Sequence, residues 1–319
     1  MSEFLTIGEP IALFGSEEVD KSLKDAKYFQ KFLAGAEVNV AVGVSRYGHS
    51  TEYITALGKD PFGDFIKDQL VENNIGTNYI SESDEYWTAF QLKDRVSHGD
   101  PSIHYFRKGS AAAHFKKENL DHIDFSEVKM AHLSGIFPAI SSEALESFRY
   151  FVELLEKNNI KTTFDPNLRP QLWESKEVMV ETINELASHA NIILPGINEG
   201  DILVGSRDPE VIADFYLTNG NQTEAVIVKL GAEGAFVKER NGNSFVVKGF
   251  KVSEVVDTVG AGDGFAAGVI SALMEGLSIK EAVIRGNATG AFAVQTPGDN
   301  DGYPTPKMLE KFLAEEKVF

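Results

Sequence analysis

The sequence predicts an α/β protein of three layers (α/β/α), in which helices cover both faces of a mostly parallel, Rossmann-like sheet. Three observations predict this class. Strand-like and amphipathic helical segments alternate from Met130 to Lys229, and such alternation implies crossovers that keep the strands parallel. Apolar residues make up 43% of the 319 residues, which allows a sizeable core. Glycine-rich segments follow several strands, at the carboxyl ends where such sheets bind ligands.

The first part of the chain supplies a strand, a helix, a strand and a helix. Residues 4–9 are predicted to form the first strand, and residues 37–44 have apolar side chains at helical spacing. Residues 53–57 form the next strand. Asp60 and Pro61 then open a helix, with the aspartate as N-cap and the proline in the first turn.

Two segments depart from this alternation. Residues 10–33 and 79–108 contain short stretches in which apolar and polar residues alternate, as they do in half-buried strands. A turn at residues 97–101 divides the second segment. We expect a single domain over residues 1–319, in which these two segments form a discontinuous small β-sheet, a lid beside the main core.

From residue 130 the alternation is regular. The predicted strands and helices, in chain order, are strand 131–134, helix 143–157, strand 161–165, helix 174–189, strand 192–194, helix 199–203 and strand 225–229. Val255 and Val256 are interpreted as the end of a further strand.

Composition excludes several kinds of function. Lysine and arginine number 30 against 48 aspartates and glutamates, a net charge of −18, which argues against nucleic acid as a partner. A small anionic substrate stays open, because a few local arginines can override the overall sign. The absence of cysteine excludes thiol catalysis, disulfides and thiolate metal sites. No apolar run is long enough to span a bilayer, and the N-terminus does not resemble a signal peptide. We therefore expect a cytoplasmic protein without a membrane partner.

The strongest candidate site is Gly260-Ala261-Gly262-Asp263, which precedes an apolar helical run. Glycines let a backbone approach a ligand closely, and a helix start favours an anion such as a phosphate. Asp263 at that position suits a base that takes the proton of an attacking hydroxyl. Neither a P-loop nor a Gly-x-Gly-x-x-Gly pattern is present. The alternative is a glycine-rich turn with an aspartate that caps the helix.

Three further segments follow strands of the predicted sheet. Arg169 lies in a polar loop after the strand at 161–165 and could hold a phosphate or carboxylate, or be a surface arginine. The glycines of residues 229–235 suit a wall beside a nucleotide, although, taken alone, a simple β-turn between Val228 and Phe236 is the better explanation. Asn198-Glu199-Gly200-Asp201 could help to organise hydrated Mg²⁺, or cap a helix.

Arg107, which follows Tyr105 and Phe106, is the candidate contact for an anionic sugar. The guanidinium suits a carboxylate, and the aromatic rings suit the carbon face of the sugar. Cross-strand packing with an exposed arginine is the alternative. The seven histidines show no metal-ligand spacing.

The segment Asp257-Thr258-Val259-Gly260-Ala261-Gly262-Asp263-Gly264-Phe265 resembles the C-terminal signature of the ribokinase-like (PfkB) carbohydrate kinases. The N-terminal signature of that family is matched by Ala34-Gly35-Ala36-Glu37-Val38-Asn39-Val40-Ala41. The resemblance runs over nearly the whole chain and implies a ribokinase-like fold with a β lid. Residues 105–112 and 165–173 resemble the members that phosphorylate 2-keto-3-deoxygluconate. The implied reaction is ATP-dependent transfer to the primary hydroxyl of that sugar acid.

The resemblance also implies site residues. The catalytic residues would be Asp263 as base, the backbone of Gly260, Ala261 and Gly262 as anion hole, and Arg169. The substrate contacts would be Gly35, Asn39, Tyr105, Phe106, Arg107, Arg169, Asp263 and Asp299. The nucleotide contacts would be Asn167, Asn198, Lys229, Gly231, Glu233, Gly234, Gly260, Gly262 and Asn287.

The implied cofactors are ATP and Mg²⁺, with a monovalent cation as an open addition, and the implied assembly is a homo-oligomer through the β lid. The chain departs from the family in three places. Asp201 stands where many members have a glutamate that organises magnesium through water, Phe106 lacks a tyrosine hydroxyl, and Lys108 adds a second cation beside Arg107. A kinase of a neutral sugar such as fructose or ribose is the alternative function. A sugar-binding relative without catalysis is disfavoured by the intact segment at residues 260–263.

Overall fold

The computed structural model describes residues 2–99, 101–296 and 298–316. The strands are β1 Phe4–Ile7, β2 Ile11–Val19, β3 Phe29–Ala34, β4 Thr51–Gly58, β5 Ile75–Gly76, β6 Ile80–Ser83, β7 Phe90–Arg95, β8 Ile103–Phe106, β9 Met130–Ser134, β10 Lys161–Asp165, β11 Ile192–Ile193, β12 Ala225–Lys229, β13 Gly234–Glu239 and β14 Ser244–Lys248. The α-helices are α1 Ala36–Arg46, α2 Pro61–Glu72, α3 Ser142–Lys157, α4 Lys176–Ala187, α5 Ile197–Leu203, α6 Pro209–Asn219, α7 Ala261–Met274, α8 Ile279–Ala293 and α9 Pro306–Glu315.

The main sheet has ten strands in the order β14-β13-β12-β11-β10-β9-β1-β4-β5, with β6 also paired to β4. Its central strands are parallel, and the hairpin of β13 and β14 adds an antiparallel edge. Every residue of β1 and β4 is buried, as expected for parallel strands that are covered on both faces. The predicted fold class is confirmed.

Two separate cores lie on the two faces of this sheet. Successive residues of β12 point to opposite faces, so Val226 and Val228 join one core and Ile227 the other. Helices α3, α4 and α6 pack on the first face, with Phe148 among their buried residues, whereas α1, α7 and α8 pack on the second, with Val269 among theirs. The helices of this chain are not membrane spans: within the described ranges none is both long and apolar enough to cross a bilayer.

One strand prediction is wrong. Val255 and Val256 are exposed and form no strand. The amide of Val256 instead donates to the carbonyl of Val294, at the end of α8, over 2.7 Å. An apolar β-branched pair predicts a strand only if a neighbouring strand is available to pair with it. The turn before α7 is therefore reached from an irregular segment rather than from a strand.

The second, small sheet has the order β3-β2-β7-β8. In it β2 pairs antiparallel with β3 and parallel with β7, and β7 pairs antiparallel with β8. The segment Ile80–Ser83, which the sequence groups with this sheet, pairs with β4 of the main sheet instead. The turn predicted at residues 97–101 includes Asp100, which lies outside the described residues.

A single aspartate fixes the place where the chain enters β7. The Asp60 carboxylate caps α2 by accepting from the amides of Phe62 and Gly63, both at 2.9 Å. Its second oxygen accepts from the amide of Thr88 at 2.8 Å. The predicted N-cap therefore also ties the small sheet to the main domain.

Replacing Asp60 by alanine should destabilise the protein more than loss of an ordinary N-cap does. We expect Asp60→Ala to lower the free energy of unfolding by about 2–3 kcal/mol, since both the cap and the bond to Thr88 are lost. The matched control is Asp208→Ala, whose carboxylate accepts from the Glu210 amide at the start of α6 and should cost about 1 kcal/mol. Urea denaturation of both variants measures the difference. Equal losses would contradict a tie to the small sheet.

Candidate active site

A cavity of about 460 Å³ opens at the carboxyl ends of β10, β11 and β12 and at the start of α7. Parallel strands bring their carboxyl ends to one edge of the sheet, so residues far apart in the chain meet there. The residues that line it are Asp165, Asn167, Gly196, Ile197, Asn198, Glu199, Arg207, Lys229, Leu230, Gly231, Gly262 and Asp263. Predicted catalytic and nucleotide-binding residues therefore share one cavity.

Asp263 lies in the first turn of α7, where two amide side chains orient its carboxylate. Asn39 Nδ2 donates to Oδ2 at 2.8 Å, and Asn167 Nδ2 lies 3.4 Å from Oδ1. Asn39 is itself held, because its Oδ1 accepts from Asn300 at 2.8 Å. Burial raises the pKa of Asp263 to about 6. The carboxylate is thus poised to exchange a proton near neutral pH.

Gly260 caps α7 in the left-handed region, with φ of 77°. A Cβ at this position would lie 1.8 Å from the carbonyl oxygen of Asp299, so the close approach requires glycine. The hydroxyl of Tyr303 donates to the Gly260 carbonyl at 2.7 Å and fixes the turn. The first turn leaves the amides of Gly262 and Asp263 without intrahelical acceptors, which suits an anion.

A partly buried lysine, Lys229, lines the cavity among acidic groups. Lys229 Nζ lies 2.5 Å from Asp165 Oδ2. Burial lowers the pKa of Lys229, but the carboxylates of Asp165 and Glu199 outweigh that effect, so the net shift is upward. Burial and the charge of Asp165 raise the pKa of Glu199, which accepts from the amides of Gly196 and Leu168. Lys229 therefore stays charged and faces the cavity.

The structure separates Glu199 from Asp201, although both belong to α5. Glu199 lines the cavity, whereas the half-exposed side chain of Asp201 lies 3.8 Å from Arg207 and is not among the described lining residues. No group of three or more potential metal ligands occurs among the described residues. Mg²⁺ fits nonetheless, because it usually keeps several waters and binds to nucleotide phosphates with one or two carboxylates. The assignment of magnesium to Asp201 stays a prediction.

The remaining predicted nucleotide contacts divide into two groups. Asn198 and Gly231 line the cavity, and Gly231 has φ of 63° in the short turn between β12 and β13. Glu233 is exposed, and Gly234 packs against the carbonyl of Val247.

Asn287 is buried and donates to the carbonyls of Val247 and Lys248, both at 3.2 Å. Its amide hydrogens hold β14 on α8.

Arg169 is partly buried beside the cavity. Its Nη1 donates to Asn167 Oδ1 at 2.8 Å and to the Leu168 carbonyl at 3.0 Å. These bonds couple Arg169 to the residue that contacts Asp263. The arginine is therefore held at the catalytic end of the site rather than exposed at the surface.

Arg107 is held by an acidic residue that the sequence prediction missed. Its Nε and Nη2 both lie 2.6 Å from Glu9 Oε2. The ring of Tyr105 lies 5.7 Å from the guanidinium carbon, and the Phe106 ring stacks on Phe90 with a centroid distance of 4.5 Å. Tyr105 and Phe106 are exposed on β8. Gly35, the N-cap of α1 with φ of 137°, packs on the carbonyl of Glu9.

Asp299 approaches the small sheet. Burial raises the pKa of its carboxyl, and Lys93 of β7 opposes that effect. Lys93 Nζ also lies 3.7 Å from Asp257 Oδ2. Lys93 therefore connects the small sheet electrostatically to Asp257, in the segment that precedes α7.

Glu37 is a second buried acid near the base. It lies in the first turn of α1 against Gly8, where an added Cβ would meet its carboxyl group at 2.7 Å. Within the described residues its Oε1 has no hydrogen-bond partner. Burial raises the pKa of Glu37 to about 7; the negative charge of Asp263 acts in the same direction and Arg107 opposes it.

Sequence reasoning missed Glu9, Glu37 and Asn300 as site residues, whereas Glu199 belongs to the segment that the sequence analysis considers for Mg²⁺. A signal existed for two of them. Glu9 follows an apolar strand at its carboxyl end, and Glu37 is an acid flanked by apolar helical residues. The contact between Asn300 and Asn39 spans 261 positions of the chain, so no local sequence pattern predicts it.

Comparison with known proteins places the chain in a family. The model of the pfkB family carbohydrate kinases matches residues 1–306. A 2-dehydro-3-deoxygluconokinase of Bacillus subtilis is 44% identical over 98% of this chain and 96% of its own. The crystal structure of a PfkB protein from Polaromonas is 39% identical, with a TM-score of 0.88 over 97% of this chain and 99% of that one. A protein described as a Ribokinase II from E. coli, solved with ATP and Mg²⁺, has a TM-score of 0.90 at 24% identity over 99% of this chain and 100% of that one.

The chain belongs to the pfkB family of carbohydrate kinases. The family assignment and the ribokinase-like fold that the two sequence signatures predict are both confirmed.

The buried acid Glu37 should make stability depend on pH. The folded state binds a proton here up to about pH 7, whereas the unfolded group releases it near its ordinary pKa of 4.5. Wild-type stability therefore falls as the pH rises between these values, and Glu37→Gln escapes that loss. Relative to wild type, we expect Glu37→Gln to gain up to about 3 kcal/mol between pH 4.5 and 7.5 in urea denaturation. The control, Glu153→Gln on the exposed face of α3, should show no such trend. A difference independent of pH would contradict a neutral Glu37.

Proposed function

We propose that this carbohydrate kinase transfers the γ-phosphoryl group of ATP to the primary hydroxyl of 2-keto-3-deoxygluconate, giving 2-keto-3-deoxy-6-phosphogluconate. The position of Asp263 carries the proposal, because an oriented carboxylate stands at a helix start inside the cavity. The sugar is supported by the Bacillus subtilis relative, 44% identical, whose name denotes the same compound.

In the proposed reaction the chain supplies alignment and charge. Phosphoryl transfer needs little covalent help from the protein, so catalysis is mainly positioning and electrostatic stabilisation. Asp263 accepts the proton of the primary hydroxyl. The backbone of Gly260, Ala261 and Gly262 and the start of α7 surround the phosphoryl oxygens, a contribution of about 3 kcal/mol per well-placed donor. Lys229 and Arg169 cover the remaining charge.

The nucleotide would lie along Asn198, the turn at Gly231 and Gly262, which share the cavity. Mg²⁺ bound with ATP would neutralise phosphate charge, and Glu199 and Asp165 are the carboxylates near enough to orient its waters. The relative from E. coli was solved with ATP and Mg²⁺. Whether a monovalent cation is also needed is tested by comparing the rate of ATP consumption with and without K⁺.

The acidic end of the sugar would meet Arg107, with Tyr105 and Gly35 beside it and Asp299 near the sugar hydroxyls. We assign a lid function to the small sheet, which would exclude water from the transferred group. Its outer strand exposes Ile103, Tyr105 and Phe106. A homo-oligomer through this sheet would cover that apolar surface.

A second candidate function is phosphorylation of a neutral sugar. The observation in its favour is the pairing of Arg107 with the buried carboxylate of Glu9, which cancels the positive charge that an acidic sugar would seek. Under this alternative Arg107 is a structural partner of Glu9 and contacts only hydroxyl groups.

Loss of the proposed base should abolish turnover. Asp263→Asn keeps the size of the side chain but cannot accept the proton, so we expect kcat to fall at least about 10³-fold while the sugar still binds. In wild type, kcat/KM should fall about tenfold per pH unit below about pH 6, because only ionised Asp263 acts as a base. A coupled ADP-release assay from pH 5 to 9 measures both. Near-normal turnover in Asp263→Asn, or a kcat/KM of wild type that stays level from pH 7 down to pH 5, would contradict the assignment.

An ATP-consumption assay over a panel of keto-deoxy acids and neutral sugars tests the substrate. We expect wild type to prefer 2-keto-3-deoxygluconate to fructose and ribose. Arg107→Ala should raise KM for the acid about 50-fold, because a charged hydrogen bond is lost, but KM for a neutral sugar less than about threefold. Preference for fructose in wild type, or equal effects of Arg107→Ala on both substrates, would favour the neutral-sugar alternative.

A further inference from the structure

Glu9 lies where the chain leaves the main sheet and enters the small one. It follows β1 and precedes β2, whereas Arg107 directly follows β8, the last strand of the small sheet. The pair Glu9–Arg107 therefore joins the first and the last crossing between the two sheets, over 98 positions of sequence. Ser110, in the same last crossing, is the third member of this group.

The two oxygens of the Glu9 carboxylate bind different partners. Oε2 accepts from Arg107 Nε and lies equally close to Nη2, at 2.6 Å, while Oε1 accepts from Ser110 Oγ at 2.5 Å. Ser110 Oγ is fixed in turn, because it accepts from the amide of Ala113 at 3.2 Å. The side chains of Glu9 and Arg107 are only 1% and 12% exposed. The guanidinium is thus clamped along one edge.

The clamped edge determines what the rest of the guanidinium can do. Arginine carries five N–H groups in a rigid plane, and Glu9 engages the edge formed by Nε and Nη2. The remaining two-donor edge, formed by Nη1 and the second N–H of Nη2, keeps a fixed direction for a second planar acceptor. An arginine held in this way has already lost its side-chain freedom before a ligand arrives, which is the advantage of preorganisation.

We propose that Glu9 is a positioning residue, which orients Arg107 so that the edge formed by Nη1 and Nη2 meets the carboxylate of the substrate. This inference rests on the proposed function, in which Arg107 contacts that carboxylate. Glu9 does not touch the sugar and acts through Arg107 alone. It should therefore affect KM for the acidic substrate rather than kcat, because the Asp263 carboxylate is oriented by Asn39 and Asn167 instead.

A double-mutant cycle tests the dependence on Arg107. The variants are Glu9→Gln, Arg107→Ala and their combination, assayed with ATP and 2-keto-3-deoxygluconate. Glutamine keeps the shape and a neutral acceptor, so we expect KM to rise about tenfold with kcat within about twofold of wild type. In the Arg107→Ala background, Glu9→Gln should change KM by less than about twofold.

The opposite results separate the two hypotheses. If Glu9→Gln raises KM by the same factor with and without Arg107, or leaves it unchanged in wild type, the positioning role is overturned and the proposed function stands. If Arg107→Ala itself leaves KM for the acid unchanged, the proposed carboxylate contact fails, and the inference about Glu9 fails with it.

Two further variants keep the proposal testable if Glu9→Gln does not fold. Ser110→Ala removes only the second hydrogen bond of Glu9, so it should raise KM about threefold in wild type and not in Arg107→Ala, even if Glu9→Gln cannot be purified. Glu17→Gln removes the same charge from an exposed position on β2 and should leave KM unchanged. Thermal unfolding of each variant confirms that the compared proteins are folded. An equal rise of KM in Ser110→Ala with and without Arg107 overturns the positioning role as well.

Discussion

The ion pair between Lys229 and Asp165 is the interaction on which the site depends. Without the lysine, the acidic groups of Asp165, Glu199 and Asp263 would face one another in a desolvated cavity, where like charges cannot all stay ionised. The pair forms only because β10 and β12 are parallel and end at the same edge of the sheet. Sheet topology therefore determines the local charge balance, in which Lys229 opposes the rise that burial causes in the pKa of Asp263.

The sequence predicted those features of the fold and the site that local patterns and short motifs encode. Alternating strands and helices identified the layers, and the small residues before Asp263 identified the start of α7. The hairpin of β13 and β14 was not predicted, and a strand was wrongly predicted at Val255 and Val256, because strand formation depends on a partner strand that the local residues do not reveal. The same reason hid Asn300, whose contact with Asn39 exists only after α1 and the segment before α9 have been brought together.

Buried acids are concentrated around the sugar end as well as the phosphate end. Glu9 and Glu37 are both buried near the crossings of the small sheet, yet their environments differ. Glu9 has an arginine and a serine as partners, which satisfy a charged carboxylate. Glu37 has an oxygen without a partner in the described structure and a pKa raised by burial to about 7, which favours its neutral form. The site therefore combines one acid that is paired with an arginine and one acid whose neutral form is favoured by burial, which limits the negative charge around Asp263.

The pairing of Arg107 with Glu9 changes how selection of an acidic sugar must be understood. An unpaired arginine would attract any anion, including free phosphate and nucleotides, through its charge alone. A neutralised arginine offers little long-range attraction, so binding must depend on whether the ligand places a planar acceptor along the remaining N–H edge. The pairing with Glu9 would thus lower the affinity for anions in general and increase the selection for ligand shape. A neutral sugar would be rejected because it leaves the remaining N–H edge of Arg107 unpaired. Under the proposed function, the specificity of the sugar site resides in the direction of Arg107 more than in its charge.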